Sequence, residues 1–320
     1  MRLLILALVI LAFPAWGYGQ QQGQGVISGR VVNKTPGGKV PPQMEVSLLA
    51  VGQQGFEVKG KTRANDKGAF RFTGLDIAGE PHFIVKAEYL KVDYFSLPVI
   101  LSPKAPSQRV ELPIFELTRD IDTIGIRNIH AVVEPDKGFA TVTMIVVAGN
   151  NGDRTVWAEG MLFSLPLGYS QISSLQGIEH QAVKVTSEGL VINKPFPPGE
   201  TQFFVTFKLV YKSSSLIWRQ RLDYATDNFS FFVPQGVGQV ASETLREGKP
   251  FQMKGRTFRR FQAASLAKDS RVFLTVSDLY ALEAGFTKPL AVGFAILILA
   301  GLVYGLLVKR SGGKRKTAGN

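Results

Sequence analysis

The sequence contains no cysteine. That excludes disulfides, thiolate metal sites, covalent haem attachment, cysteine nucleophiles and lipid attachment through a cysteine. Histidine is nearly as scarce, with three residues: His82, His130 and His180. A zinc peptidase needs a His-x-x-Glu pair, and these histidines precede Phe-Ile-Val, Ala-Val-Val and Gln-Ala-Val. Nothing therefore stands at metal-ligand spacing. No Gly-x-Ser-x-Gly elbow occurs, and Ser265 and Lys268, which fit a Ser-x-x-Lys pattern, lack the Ser-Asp-Asn and Lys-Thr-Gly companions. Asp66 has no acid at i+2 or i+4 and makes a poor calcium site. The 33 glycines and 17 prolines are scattered without a repeat period, so the chain is not low-complexity. No cofactor and no metal site is expected.

One nucleotide-binding pattern is complete on paper. "GFEVKGKT", Gly55 to Thr62, fits G-x-x-x-x-G-K-[ST]. A P-loop works because backbone N–H groups cradle phosphates at the mouth of a helix that follows a strand. Here the motif runs into Arg63-Ala64-Asn65-Asp66-Lys67-Gly68, a turn, and then into another strand. With no helix N-terminus to hold phosphate, the segment is expected to be part of a β-hairpin.

What the chain does have is apolar segments at both ends. Arg2, the run Leu3 to Phe13 and the small residues Ala15, Gly17 and Gly19 follow the order of a secretory signal peptide, assigned to residues 1–19. From Pro289 to Val308 there is no charge, about 20 residues, enough to cross a ~30 Å hydrocarbon core as a helix. A transmembrane helix is thus expected over 285–308. Lys309, Arg310, Lys314, Arg315 and Lys316 follow, with no acid among them, in a basic tail over 309–320. Positive charge gathers on the cytoplasmic side, so the bulk of the chain is expected outside the cytoplasm and the tail inside. Without the tail, Lys288 and Arg2, the net charge of +12 falls to +5. The basic excess belongs largely to topology, and no nucleic-acid partner is expected. A large exported region without disulfides fits the inner membrane of a bacterial envelope. The sequons at Asn33 and Asn228 carry no weight in that setting.

Between these ends, short alternating segments separated by turn residues read as β throughout. The fold class is all-β: two tandem β-sandwich domains over 20–117 and 118–284, followed by the transmembrane helix. In the first, strands are expected at Val26 to Lys34, Met44 to Val51, around Phe70 and Phe72, at His82 to Leu90 and at Gln108 to Leu117. Gly68 is placed at a tight turn needing positive φ. Phe70 and Phe72, two apart, face the core, and Arg71 faces solvent. The segments Ile27-Ser28-Gly29-Arg30-Val31, Val46-x-Leu48, Asn65-Asp66-Lys67-Gly68-Ala69-Phe70-Arg71-Phe72 and Phe83-x-Val85-x-Ala87-x-Tyr89 resemble the carboxypeptidase regulatory-like domain. That resemblance implies a transthyretin-like β-sandwich over about 90 residues. It also implies an accessory module that performs no chemistry itself. The second domain has strands expected at Phe139 to Ala148 and Thr201 to Lys212, with Val205, Phe207, Leu209 and Tyr211 on one face. Its pattern suits an immunoglobulin-like sandwich.

One local cluster stands out. In "MKGRTFRRFQ", Lys254, Arg256, Arg259 and Arg260 are interleaved with Phe258 and Phe261. Such a pattern makes a candidate anionic-ligand site. The opposing reading is a strand whose arginines lay their stems along apolar surface. No catalytic constellation emerges. The expected function is a non-catalytic, membrane-anchored envelope protein that presents β-sandwiches to protein partners, or to a carbohydrate or peptide ligand. The alternative is a hydrolase whose site is assembled from residues distant in sequence.

Overall fold

A computed structural model describes residues 25–52, 55–211, 214–253 and 255–279. The segments 1–19, 285–308 and 309–320 and Lys254 lie outside the described residues. Among the described residues the fold is almost wholly β; one 3-10 turn, His180–Ala182, is the sole helical piece, and no helix is long and apolar enough to cross a membrane. The chain divides into two compact units, the first ending at Ile114 and the second starting at Phe115.

The first unit holds β1 (Gly25–Asn33), β2 (Glu45–Gly52), β3 (Gly55–Arg63), β4 (Ala69–Leu75), β5 (His82–Tyr89), β6 (Val92–Phe95), β7 (Val99–Ile100) and β8 (Ser107–Ile114). One sheet runs β4-β1-β8 and the other β3-β2-β5-β6, with β7 also on β5. Alternate residues turn inward on β1, β2, β4, β5 and β8: Ile27 and Val31, Val46 and Leu48, Phe70 and Phe72, Phe83 and Val85, Leu112 and Ile114 are all buried. Arg71 is exposed between the two phenylalanines, whose rings meet edge to face at 6.0 Å.

The turn before β4 explains their register. The side-chain carbonyl of Asn65 accepts hydrogen bonds from the N–H groups of Lys67 (3.0 Å) and Ala69 (2.9 Å). Gly68 has φ +74°, and a Cβ there would sit 2.5 Å from the carbonyl oxygen of Val31. A side chain is therefore excluded by both strain and space. The P-loop-like segment is β3, an edge strand that leads through this turn into β4. Its Lys61 is occupied by an ion pair to Glu45 at 2.8 Å.

The second unit holds β9 (Leu117–Thr118), β10 (Ile124–Asp136), β11 (Phe139–Asn150), β12 (Thr155–Val156), β13 (Met161–Ser164), β14 (Tyr169–Gln176), β15 (Val183–Val185), β16 (Gly189–Ile192), β17 (Gly199–Val210), β18 (Leu216–Arg221), β19 (Thr226–Pro234), β20 (Gln239–Ala241), β21 (Arg246–Glu247), β22 (Phe251–Met253), β23 (Arg256–Leu266) and β24 (Arg271–Ser277). The central sheet runs β14-β17-β11-β10-β19-β23-β21, with β22 on β23; two three-stranded sheets run β13-β16-β15 and β18-β24-β20.

One face of the central sheet builds the main core. Val142, Met144 and Val146, with Val205, Phe207 and Leu209, and with Phe229 and Phe231, join Leu190, Trp218, Leu274 and Val276 of the smaller sheets. Tyr211, on the same face as Val205, Phe207 and Leu209, is buried as well. The alternate residues Val132, Ile145, Phe204 and Phe232 form a smaller cluster with Met253 and Phe258. A strand buried on both faces reads as a continuous apolar run rather than an alternating one, which accounts for Met144-Ile145-Val146-Val147-Ala148 in β11.

Candidate functional site

The basic cluster around Arg256 to Arg260 lies at the β22–β23 hairpin. Strand alternation divides it: Arg256, Phe258 and Arg260 point to one face of β23, Arg259 and Phe261 to the other. Arg256 pairs with the largely buried Glu134 (Nη1 to Oε1, 3.1 Å) and lies over the Phe258 ring at 5.5 Å. Arg259 meets Glu247 with a two-pronged fork, Nε to Oε1 at 2.8 Å and Nη2 to Oε2 at 3.2 Å, and lies 5.0 Å over Phe261. That fork holds the Glu247 carboxyl below its ordinary range and raises the Arg259 guanidinium above its own.

Arg260 differs from both. Its Nε is buried without a hydrogen-bond partner, and it has no ion pair among the described residues. Its charge acts on His130, whose Nδ1 is likewise buried and unpartnered. Burial first, and Arg260 second, push the His130 imidazolium down to about 4.

A second group of arginines sits on the β18–β24 sheet. Along β18 the side chains alternate: Leu216, Trp218 and Gln220 are buried, and Ile217, Arg219 and Arg221 are exposed. Along β24, Arg271 and Phe273 are exposed and Val272 and Leu274 buried. The antiparallel register sets Arg221 directly opposite Arg271, and Arg219 opposite Phe273. Trp218, fully buried beneath them, meets Phe229 and Phe231 edge to face at 6.3 and 5.4 Å. The arginines therefore stand over a packed aromatic floor.

Beside this face opens a groove of about 590 Å³ whose other walls include Ser164, Leu167 and Glu188. Its charges are unevenly matched. Asp223 accepts Arg221 Nε (3.1 Å) and Nη2 (2.8 Å), and also the Ser164 N–H (2.5 Å) and Oγ–H (3.0 Å). The bond to Asp223 raises the Arg221 guanidinium above its ordinary range. Glu188 approaches Arg221 only at 4.0 Å. Arg219 lies over the Phe273 ring at 5.5 Å, and neither Arg219 nor Arg271 has a carboxylate partner among the described residues. Like charges directly opposite across an antiparallel pair are destabilising. Arg271 thus faces an arginine that Asp223 already engages and has no carboxylate of its own among the described residues.

The remaining sequence candidates are dispersed. His82 is exposed on β5, His130 lies on β10 and His180 in the 3-10 turn; among the described residues no group of three or more His, Asp or Glu stands close enough to hold a metal. Ser265 and Lys268 are both exposed at the end of β23 and in the turn after it. The groove was partly legible: Ile217, Arg219 and Arg221 share parity in a strand-like run. Arg271 and Phe273, which complete it, lie some fifty residues away and are joined to it only by sheet register. The chain matches no protein-family model and no curated protein.

Proposed function

We propose that this protein is a non-catalytic binding module held at the inner membrane of a bacterial envelope, with its two β units outside the cytoplasm. In this reading the first unit is a transthyretin-like accessory sandwich and the second an immunoglobulin-like sandwich that carries the ligand surface. The apolar run Pro289 to Val308 anchors the chain, and the basic residues after it stay in the cytoplasm.

The observation that carries the binding role is the outward face of β18–β24. It keeps Arg219, Arg221, Arg271 and Phe273 at the surface beside an open groove of about 590 Å³. Arginine and aromatic side chains are the residues that dominate binding interfaces. Here they stand on the face opposite the buried Trp218. The first unit adds exposed apolar side chains on one sheet, Val51, Phe56, Val58 and Phe95 among them, which suits an envelope protein that meets other proteins.

The test is co-purification of the full chain from gently solubilised membranes, wild type against the double variant Arg219→Glu, Arg271→Glu. The wild type is expected to bring partners with it that the variant loses, while both are made in equal amounts. An unchanged set of co-purifying proteins would show that the groove is not the binding surface.

A further inference from the structure

Building on the reading of the β18–β24 groove as a ligand site, we infer that it takes an extended acidic peptide segment bearing carboxylates on alternate residues. Three observations lead there. First, of the three groove arginines, Arg221 is already held by Asp223, which leaves Arg219 and Arg271 to engage a ligand. Each presents a planar fork suited to a carboxylate.

Second, their spacing suits such a ligand. Arg221 faces Arg271 across the strands, so Arg219 is the diagonal neighbour of Arg271. Diagonal neighbours on one face of an antiparallel pair stand about 7–8 Å apart. Long side chains span that diagonal, so the two guanidinium forks can each take a carboxylate of one ligand chain. An extended peptide rises about 3.2–3.4 Å per residue and turns alternate side chains to the same side. Its i and i+2 carboxylates therefore recur at close to the required interval.

Third, the flanking surface suits a polypeptide. Ile217 (45% exposed), Leu167 (69%) and Phe273 (36%) present apolar side chains around the arginines. A peptide side chain two positions beyond the acidic pair would meet Ile217, which precedes Arg219 by the same interval. A ligand carboxylate on Arg271 would give that arginine the partner that Asp223 already gives Arg221.

The experiment is fluorescence anisotropy of the full chain in detergent micelles with a labelled peptide of alternating Glu and Ser. An alternating Gln/Ser peptide and polygalacturonate serve as competitors. The Glu peptide is expected to bind, more weakly as salt rises, and the Gln peptide at least tenfold less well. Arg219→Gln with Arg271→Gln is expected to lower affinity for the Glu peptide at least tenfold. A charge-matched control in the first unit, Lys104→Gln with Arg109→Gln at exposed positions, is expected to leave it unchanged.

Equal binding of the Glu and Gln peptides, or an equal loss in the control, overturns the inference. So does polygalacturonate that outcompetes the peptide, which assigns the groove to acidic glycans. Failure of the Glu peptide to bind, with co-purification still lost in the Arg219→Glu, Arg271→Glu variant, rejects the acidic peptide and leaves the groove as the ligand site. Co-purification that survives the variant rejects the groove itself.

Discussion

The second unit carries two arginine clusters that look alike in sequence and differ in what their charges meet. At the β22–β23 hairpin, Arg256 and Arg259 each have a carboxylate within 3.1 Å and an aromatic ring beneath the guanidinium. On the β18–β24 sheet, Arg219 and Arg271 have rings or like charges as neighbours and no carboxylate among the described residues. In the first arrangement Arg256 and Arg259 neutralise Glu134 and Glu247 and cover apolar surface with their stems, and Arg260 alone has no carboxylate among the described residues. The second is left open on the groove side. Basic residues interleaved with aromatics are thus compatible with either role, and the location of the acids decides between them.

The largest expected effect that sharpens this contrast concerns pH and lies beside the hairpin. Because the folded state holds His130 at about 4 against 6.5 for the free side chain, the unfolded chain binds the extra proton first as pH falls. Stability contributed by neutral His130 is therefore complete above about pH 6.5 and is lost progressively towards pH 4. At 1.36 kcal/mol per pKa unit, the loss between about pH 6.5 and pH 4.5 is roughly 2–3 kcal/mol. Denaturant unfolding across that window should show it, and His130→Leu should abolish it. A wild-type slope that survives in the variant would place the proton elsewhere.

Next in size is the pair at Arg256. Arg256→Ala removes a charge-assisted bond from the largely buried Glu134 and is expected to cost about 1–3 kcal/mol. Smallest is Arg271→Ala. It removes an exposed cation opposite Arg221, and stability should stay within about 0.5 kcal/mol of wild type or rise slightly. Denaturant midpoints at fixed slope measure both. If Arg271→Ala were the more damaging of the two, the claim that the groove cations are not structural would fail.

Much of the fold was legible in the sequence because the local signals agreed with each other. Asn65 to Gly68 carries both the side-chain acceptor and the glycine that its turn requires, and the parity of Phe70, Arg71 and Phe72 fixes which side of β4 is inside. The same context set the P-loop pattern aside, since Lys61 leads into a turn and not a helix. Legibility ended where the information is non-local. Nothing in Arg256 or Arg259 announces Glu134 or Glu247 as partners, because those contacts depend on which strands are neighbours. The other side of the groove was not legible for the same reason. Arg219 reads as an ordinary outward residue until register places Phe273 across from it and Arg271 on the diagonal. The double-sided burial of β11 left a visible mark, an unbroken apolar run, but that mark does not say which elements cover the second face.

Hydrogen exchange of the full chain, with and without the alternating Glu/Ser peptide, separates the two clusters in one measurement. The expected result is slowed exchange of backbone amides in Leu216–Arg221 and Arg271–Ser277 and in the groove wall near Leu167, with Phe251–Met253 and Arg256–Leu266 unchanged. Protection centred on the β22–β23 hairpin, with β18 and β24 unaffected, would contradict the assignment of the open arginines as the binding surface.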